Sequence, residues 1–338
     1  MVNAINSKIS VIIPVYNGEN TIRDTIASVL NQTFSALELI IIDDGSTDST
    51  PDVIASISDP RVRAFSYTNS GQAASRNRGV SLAKGEYVSF IDADDLWTPE
   101  KLESQWQALQ ANPEAAVAYS WTDCIDERGQ FSRRGSYISA SGDVYAKLLL
   151  VDFIESGSNP LIRTDAFEAV GGFDESLPAA EDWDLWLRLA QRYRFVAVSA
   201  SQIRYRQSPT SWSANVLKQE AGSLKVIESA IARTPEPLNY LRRLSLANVY
   251  KGLTFKILEG NLDRQQGWIA ARLLRETVRY DPKLLKTKVI WKVAFKIITA
   301  ILLPSQLSRW LLHRTQKILN TTTLLGYMQL EPLSEPSV

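Results

Sequence analysis

Cysteine, histidine and methionine are nearly missing from these 338 residues, which hold one cysteine (Cys124), one histidine (His313) and two methionines. A single thiol excludes an intramolecular disulfide and a cysteine-built zinc cage, and it fits a small buried hydrophobe in a reducing compartment. Net charge is missing too: 37 basic side chains balance 37 acidic ones. No global field draws such a chain to nucleic acid or anionic lipid, so nucleic acid is not expected as a partner and any charged ligand must be met locally. Long apolar runs are lacking as well. The nearest, residues 293–303, is interrupted by Lys296 and falls short of the roughly 18 residues that a membrane-spanning helix needs. Residues 1–7 are polar and lack the basic and then apolar pattern of a secretory signal, so a cytoplasmic location is expected. Glycines at phosphate-loop offsets are also missing: no GxGxxG follows the first apolar run and no GxxxxGK[ST] occurs, which disfavours dinucleotide and P-loop chemistry. An EF-hand starting at Asp92 fails because Trp97 stands where the loop's sharp turn needs glycine.

What is present is an alternation. Residues 9–15 are an almost unbroken β-branched apolar run ended by Tyr16-Asn17-Gly18, the pattern of a strand buried on both faces. Residues 19–32 carry Ile22, Ile26, Val29 and Leu30 on one helical face. Strands follow at 37–42, 62–67 and 87–91, with helices at 49–57, 72–83 and 101–110. Strand and helix in turn imply right-handed crossovers and a mostly parallel sheet, an α/β fold. Residues 116–120 read as a further strand, Asp126-Glu127-Arg128-Gly129 as a hairpin turn, and 181–191 as a helix that starts acidic.

Acids collect just past the strand ends: Asp43, Asp44 and Asp48 after the second strand, and Asp92, Asp94 and Asp95 after the fourth. The carboxyl edge of an open α/β sheet is where ligands bind. Carboxylates this close repel one another unless a cation or hydrogen-bond donors compensate. A hard divalent ion is the simplest compensation, since Mg²⁺ or Mn²⁺ takes one or two protein carboxylates and fills its shell with water and phosphate oxygens. The competing reading is that the acids cap helices and make Asx turns.

Five blocks now stand in order: Ser10-Val-Ile-Ile-Pro-Val-Tyr-Asn17, Glu38-Leu-Ile-Ile-Ile-Asp-Asp-Gly-Ser-Thr-Asp48, Ala74-Ser-Arg-Asn-Arg-Gly79, Phe90-Ile-Asp-Ala-Asp-Asp95 and Glu181-Asp-Trp-Asp-Leu-Trp186. Together, over about residues 8–212, they resemble the successive motifs of family 2 glycosyltransferases. The resemblance implies a GT-A (Rossmann-like) catalytic domain, a nucleotide-diphospho-sugar donor with a UDP-sugar favoured, a divalent metal (Mn²⁺ or Mg²⁺) and inversion at the anomeric carbon. Carried over by position, Pro14, Val15 and Tyr16 would line the base pocket, and Asp44 with Asp43 would meet base or ribose. Arg76 or Arg78 would fix base or diphosphate, though an exposed helix arginine is an equal alternative for each. Asp92 would face the ribose or a metal-bound water, and Asp94 would hold the metal, with Asp95 a further candidate. Asp182 would be the general base, taking the acceptor hydroxyl's proton. Glu181 is a further candidate, and Asp184 fits a helix-dipole role. His313 lies far outside these blocks. Residues 203–213 resemble the family's closing block but carry Gln207 where relatives often place histidine, which leaves Arg206 and Ser211 as candidates for the diphosphate. The string Gln306-Leu-Ser-Arg-Trp310 matches a motif of processive members but lies more than a hundred residues past Asp182, which favours transfer of a single sugar.

The catalytic domain is expected over residues 1–215, a helical region over 216–328 and a flexible tail over 329–338. Residues 238–258 and 263–280 resemble one tetratricopeptide-like hairpin. In 284–319 lysines alternate with Trp291, Phe295, Ile297 and Ile298, and Arg309 and Arg314 flank Trp310. Such a segment either lies in an anionic bilayer interface, at the inner face of the membrane beside a lipid-linked or glycan acceptor, or packs on its own domain or another subunit. The functional readings are a glycosyltransferase of surface polysaccharide or glycoconjugate assembly, a nucleotidyltransferase, and a degenerate nucleotide-binding scaffold acting through its helical tail.

Overall fold

A computed structural model of the chain describes residues 8–208, 215–234, 238–260, 262–315 and 319–332. It divides into two compact units. One comprises Met1–Leu148, Asp152–Leu177 and Glu181–Ser208; the other comprises Leu149–Val151, Pro178–Ala180 and Pro209–Val338.

The first unit is built on a nine-stranded sheet. Strands β1 (Ile9–Val15), β2 (Leu37–Asp43), β3 (Val62–Ser66) and β4 (Tyr87–Phe90) alternate with helices α1 (Ile22–Leu30), α2 (Thr50–Ala55) and α3 (Gln72–Ser81). β5 (Leu96–Trp97), α4 (Lys101–Ala111), β6 (Ala115–Ile125), β7 (Phe131–Arg134), α5 (Tyr145–Leu150), β8 (Leu161–Arg163), α6 (Thr164–Ala169), α7 (Glu181–Ala190) and β9 (Arg194–Arg206) follow. The strand order is β3-β2-β1-β4-β8-β6-β9-β5, with β7 on β6. The longer pairings, β1 with β2 and β4, β2 with β3, and β6 with β9, are parallel. The antiparallel ones at β8, β5 and β7 are short. The α/β alternation and mostly parallel sheet expected from the sequence are therefore present.

Every residue of β1 and β2 is buried, which explains their unbroken apolar composition: helices cover both faces of a parallel sheet. Each such Ile, Val or Leu contributes roughly 1.5–3 kcal/mol relative to exposure. Helix α1 starts three residues later than its apolar pattern suggests, because the chain before it is engaged with the loop after β2. Glu19 N–H donates to Asp48 Oδ2 (3.2 Å), and Glu19 Oε2 accepts from Ser49 N–H (2.8 Å). Helix α3 lies close on the sheet: a Cβ on Gly79 would fall 2.3 Å from Ile12 Cγ2. Cys124 is buried, and burial pushes its thiol up to about 12.

Among the described residues of the second unit, helices α8 (Val216–Arg233), α9 (Leu241–Glu259), α10 (Arg264–Tyr280), α11 (Lys288–Leu302) and α12 (Ser305–Thr315) pack in succession. The α9–α10 pair is a helical hairpin, tied by stacked Tyr250 and Tyr280 with centroids 5.6 Å apart. Arg272 forks onto both oxygens of Glu220 at 2.6 Å. No helix of the described residues is long and apolar enough to cross a membrane.

Candidate active site

The sheet topology brings the acids together. β1, β2 and β4 are parallel neighbours, so the loops after them open on one edge of the sheet. The loop after β1 is stitched to the loop after β2: Asn17 N–H donates to Ser46 Oγ (2.9 Å), and Asn17 Oδ1 accepts from Thr47 N–H (2.8 Å). Asp43 Oδ1 takes Ser46 N–H at 3.0 Å. Asp44 accepts from Ser70 N–H (3.0 Å) and Gly71 N–H (2.8 Å), which anchors the start of α3. Gly71 has φ +93°, a conformation glycine adopts without strain. Arg78 sits 3.8 Å from Asp44 and 4.8 Å over the Tyr67 ring.

Tyr16 is 53% exposed at the end of β1, a ring free to stack on a planar ligand. Pro14 is buried within β1 and the Val15 side chain belongs to the core, so these two can meet a ligand only with their main chain. The Val15 carbonyl already accepts from Asp44 N–H.

Arg76 is the centre of the arrangement. It is 2% exposed, and its two terminal nitrogens go to different carboxylates: Nη2 to Asp92 Oδ1 at 2.6 Å and Nη1 to Glu181 Oε1 at 3.0 Å. The guanidinium also lies over the Phe173 ring, 5.1 Å from its centroid. Gly157 lets backbone approach it, since a Cβ there would fall 2.6 Å from Nη2. Arg76 is thus a buried clamp between the loop after β4 and the start of α7, and not a solvated helix residue. Gln72 Nε2 donates a second bond to Asp92 Oδ1 (2.7 Å). Both bonds land on one oxygen.

The three acids after β4 differ in what surrounds them. Asp95 is wholly buried: Oδ2 accepts from Ser158 Oγ (2.5 Å) and Oδ1 from Arg206 N–H (2.8 Å). It therefore serves the loop and has no surface for a metal. Burial, with the charges of Asp94 and Asp92, holds its carboxyl well above the usual range. Arg206 is spent likewise: Nε donates to Asp94 O (2.7 Å), and Nη1 to the carbonyls of Asp126 and Glu127. It fastens two loops and does not reach out to a diphosphate. Ser211, the other candidate there, lies outside the described residues. Asp94 is half-buried, and among the described residues no other residue donates a hydrogen bond to its carboxylate. Burial and then the Asp92 charge push it up to about 6.

Asp182 occupies the first turn of α7, its Oδ1 accepting from Trp183 N–H at 2.8 Å. Burial first and Glu181 second push it up to about 7, against the opposing pull of Arg76. Asp184 instead pairs with Arg188 at 2.7 Å, one turn on. Two contributors lie outside the sequence motifs. Asp152 sits beside Asp182, and burial together with that charge holds its carboxyl well above the usual range. Ser158 accepts from Asp92 N–H (2.9 Å) while donating to Asp95. The Ser-Gly-Ser run at 156–158 was the only hint, small residues where the backbone must come close.

Among the described residues no three acidic, histidine or cysteine side chains converge as a ready-made metal cage. The Asp94 carboxylate, accessible and without a donor from another residue, still fits a hard dication that draws one ligand from the protein and the rest from water and phosphate.

A sequence model of the glycosyltransferase like family 2 matches residues 10–257. The Escherichia coli protein named UDP-Glc:alpha-D-GlcNAc-diphosphoundecaprenol beta-1,3-glucosyltransferase WfgD is 31% identical over 240 residues, covering 69% of this chain and 92% of that one. An uncharacterized glycosyltransferase of Rickettsia bellii is 35% identical over 186 residues, but the match spans only 27% of its length and 54% of this chain. Two solved structures share the fold. Staphylococcus aureus TarS 1–349 in complex with UDP-GlcNAc has a TM-score of 0.53 at 21% identity, covering 94% of this chain and 90% of that one. The mannosyltransferase PcManGT of Pyrobaculum calidifontis, in complex with GDP-Man and Mn²⁺, has a TM-score of 0.57 at 18% identity, covering 93% and 88%.

Proposed function

Because the chain belongs to the glycosyltransferase like family 2, we propose that it moves one sugar, with inversion, from a nucleotide diphosphate to a hydroxyl of a glycan or lipid-linked acceptor. That it is a glycosyltransferase with a GT-A fold follows from the family and the structural neighbours. The donor, the acceptor and the roles of single residues are the further reading.

The observation that carries it is the Arg76 clamp. One buried guanidinium bonds Asp92 and Glu181, so the acids after β4 and the acidic start of α7 face one site although about ninety residues separate them. In this reading Tyr16 stacks on the base, the Asp44 and Arg78 region borders the nucleoside, and Asp94 holds Mn²⁺ or Mg²⁺. The cation, when bound, withdraws charge from the leaving diphosphate. Asp182 takes the proton of the acceptor hydroxyl as that oxygen bonds C1 on the face opposite the breaking bond to the diphosphate. A carboxylate poised near pH 7 suits that work, because a base operates best close to the ambient pH. A UDP-sugar is favoured, and the WfgD relative, whose name specifies UDP-Glc and a diphosphoundecaprenol acceptor, supports both UDP and a lipid-linked acceptor.

Calorimetric titration with UDP, with and without Mn²⁺, tests the donor side. Binding that needs the metal and disappears in Asp94→Ala is the expected result. Affinity indifferent to both Mn²⁺ and the substitution would remove Asp94 from the site, and failure of UDP, GDP and dTDP alike would overturn the donor reading.

A further inference from the structure

Residues 282–330 contain eight lysines and arginines and no acidic residue, while the whole chain carries 37 of each sign. The structure sorts this segment by face. On α11, Trp291, Phe295, Ile298 and Leu302 all stand exposed, Trp291 at 66% and Leu302 at 73%. Their spacing of four, three and four residues places them along one stripe of the helix. The opposite side, with Val289, Ile290, Val293, Ile297 and Ala300, is buried in the helical unit. Two expectations from the sequence change accordingly: Ile297 is core, and Lys296 is buried with its Nζ donating to Thr321 Oγ1 at 3.1 Å. Lys288, exposed, and Lys292, partly exposed, flank the apolar stripe, and Lys283, Leu285 and Lys286 are exposed in the 3₁₀ turn Pro282–Lys286 just before it. After Pro304, α12 adds exposed Leu307 and Trp310, with Arg314 5.3 Å over the Trp310 ring.

We infer that the outer face of α11, continued by α12, is a docking surface for an anionic phospholipid bilayer. Water is a poor solvent for a stripe of Trp, Phe, Ile and Leu, and a patch of this kind marks an interaction surface. At 15 residues, α11 is about 22 Å long and too short to cross the hydrocarbon core. It can lie in the interface plane, with the apolar stripe among acyl chains and the lysines among phosphates. Charge decides between the bilayer and a second copy of this chain. A two-fold symmetric pairing across this face would oppose two lysine-rich, acid-free segments, whereas anionic headgroups neutralise them. The face uses none of the residues around Asp94 and Asp182, so lipid binding and nucleotide binding are separate readouts.

Flotation of the full chain with vesicles of phosphatidylcholine alone, and with about a third phosphatidylglycerol, tests this. At least about tenfold stronger partitioning onto the anionic vesicles is expected, weakened several-fold by raising salt toward about 0.5 M. Trp291→Ser with Ile298→Ser should cut vesicle binding at least about tenfold, and Lys288→Glu with Lys292→Glu should abolish the preference for anionic lipid. Both pairs lie on the outer face, so thermal unfolding should stay as in the parent. Equal binding to both vesicle types, or binding to neither, would overturn the inference. So would a concentration-dependent dimer in lipid-free sedimentation that the Trp291→Ser, Ile298→Ser variant dissolves, which would assign the face to a second copy.

Discussion

Replacing Asp182 with Asn tests the poised carboxylate most directly, because it should raise stability while removing activity. In the unfolded chain this carboxyl titrates at its ordinary value of 3.8; in the fold, burial and Glu181 push it up to about 7. The sign follows from linkage. Below about pH 4 the group is protonated in both states and contributes nothing. Between about 4 and 7 only the unfolded chain is ionised, so the fold loses about 1.4 kcal/mol per pH unit, reaching at most about 4 kcal/mol above pH 7. Asn keeps an oxygen for Trp183 N–H and cannot ionise, so the variant escapes this loss. In urea titrations of metal-free, nucleotide-free protein, the stability gap between variant and parent should widen by about 3 kcal/mol from pH 5 to pH 8. Asp152 shares the environment, its carboxyl held up by burial and by the Asp182 charge. Transferase activity of the parent should rise with pH toward 7, and kcat of the variant should fall at least about a hundredfold. A gap that is flat, or that closes as pH rises, would mean that Asp182 is ionised at its ordinary value with Arg76 as its compensating charge, and the assignment of a poised base would fail.

Arg76→Lys should destabilise the fold by about 3 kcal/mol, because one ammonium cannot reach both Asp92 and Glu181 and leaves a buried carboxylate unpaired. Chemical denaturation checks this, and a loss under about 0.5 kcal/mol would refute the clamp. Gly79→Ala should cost about 1–3 kcal/mol by overpacking, since the added methyl would meet Ile12 Cγ2 at 2.3 Å; thermal melting of the variant reads it.

Much of the first half of the fold is written locally. β1, β2 and β4 are apolar runs cut off by Asn, Asp and Gly, and the helices between them show their own periodicity, so the observed bounds fall within a few residues of the pattern. The positions of Asp92, Asp94, Glu181 and Asp182 are legible for the same reason: each follows a strand end or opens a helix. β8 and β9 carried no such signal. β8 is three residues held between β4 and β6, and β9 mixes serine, arginine and glutamine with its apolar residues, so their strand character comes from partners distant in sequence.

The chemistry of individual side chains was a tertiary decision. Arg76 and Arg78 stand two residues apart on α3, yet Arg76 is buried between two carboxylates and Arg78 borders Tyr67. Asp94 and Asp95 are adjacent, yet one carboxylate is left without a donor while Arg206 and Ser158 take up the other. Local periodicity records which residues face inward. It cannot record which distant segment will return to meet a charge, and for a buried ionisable group that meeting decides between a structural anchor and a reactive base. The sequence by itself determined the alternating sheet, the edge where the acids lie and the family; the returning chain, through Gly157, Ser158 and the start of α7, decided which of those acids is engaged by donors and which is left without one.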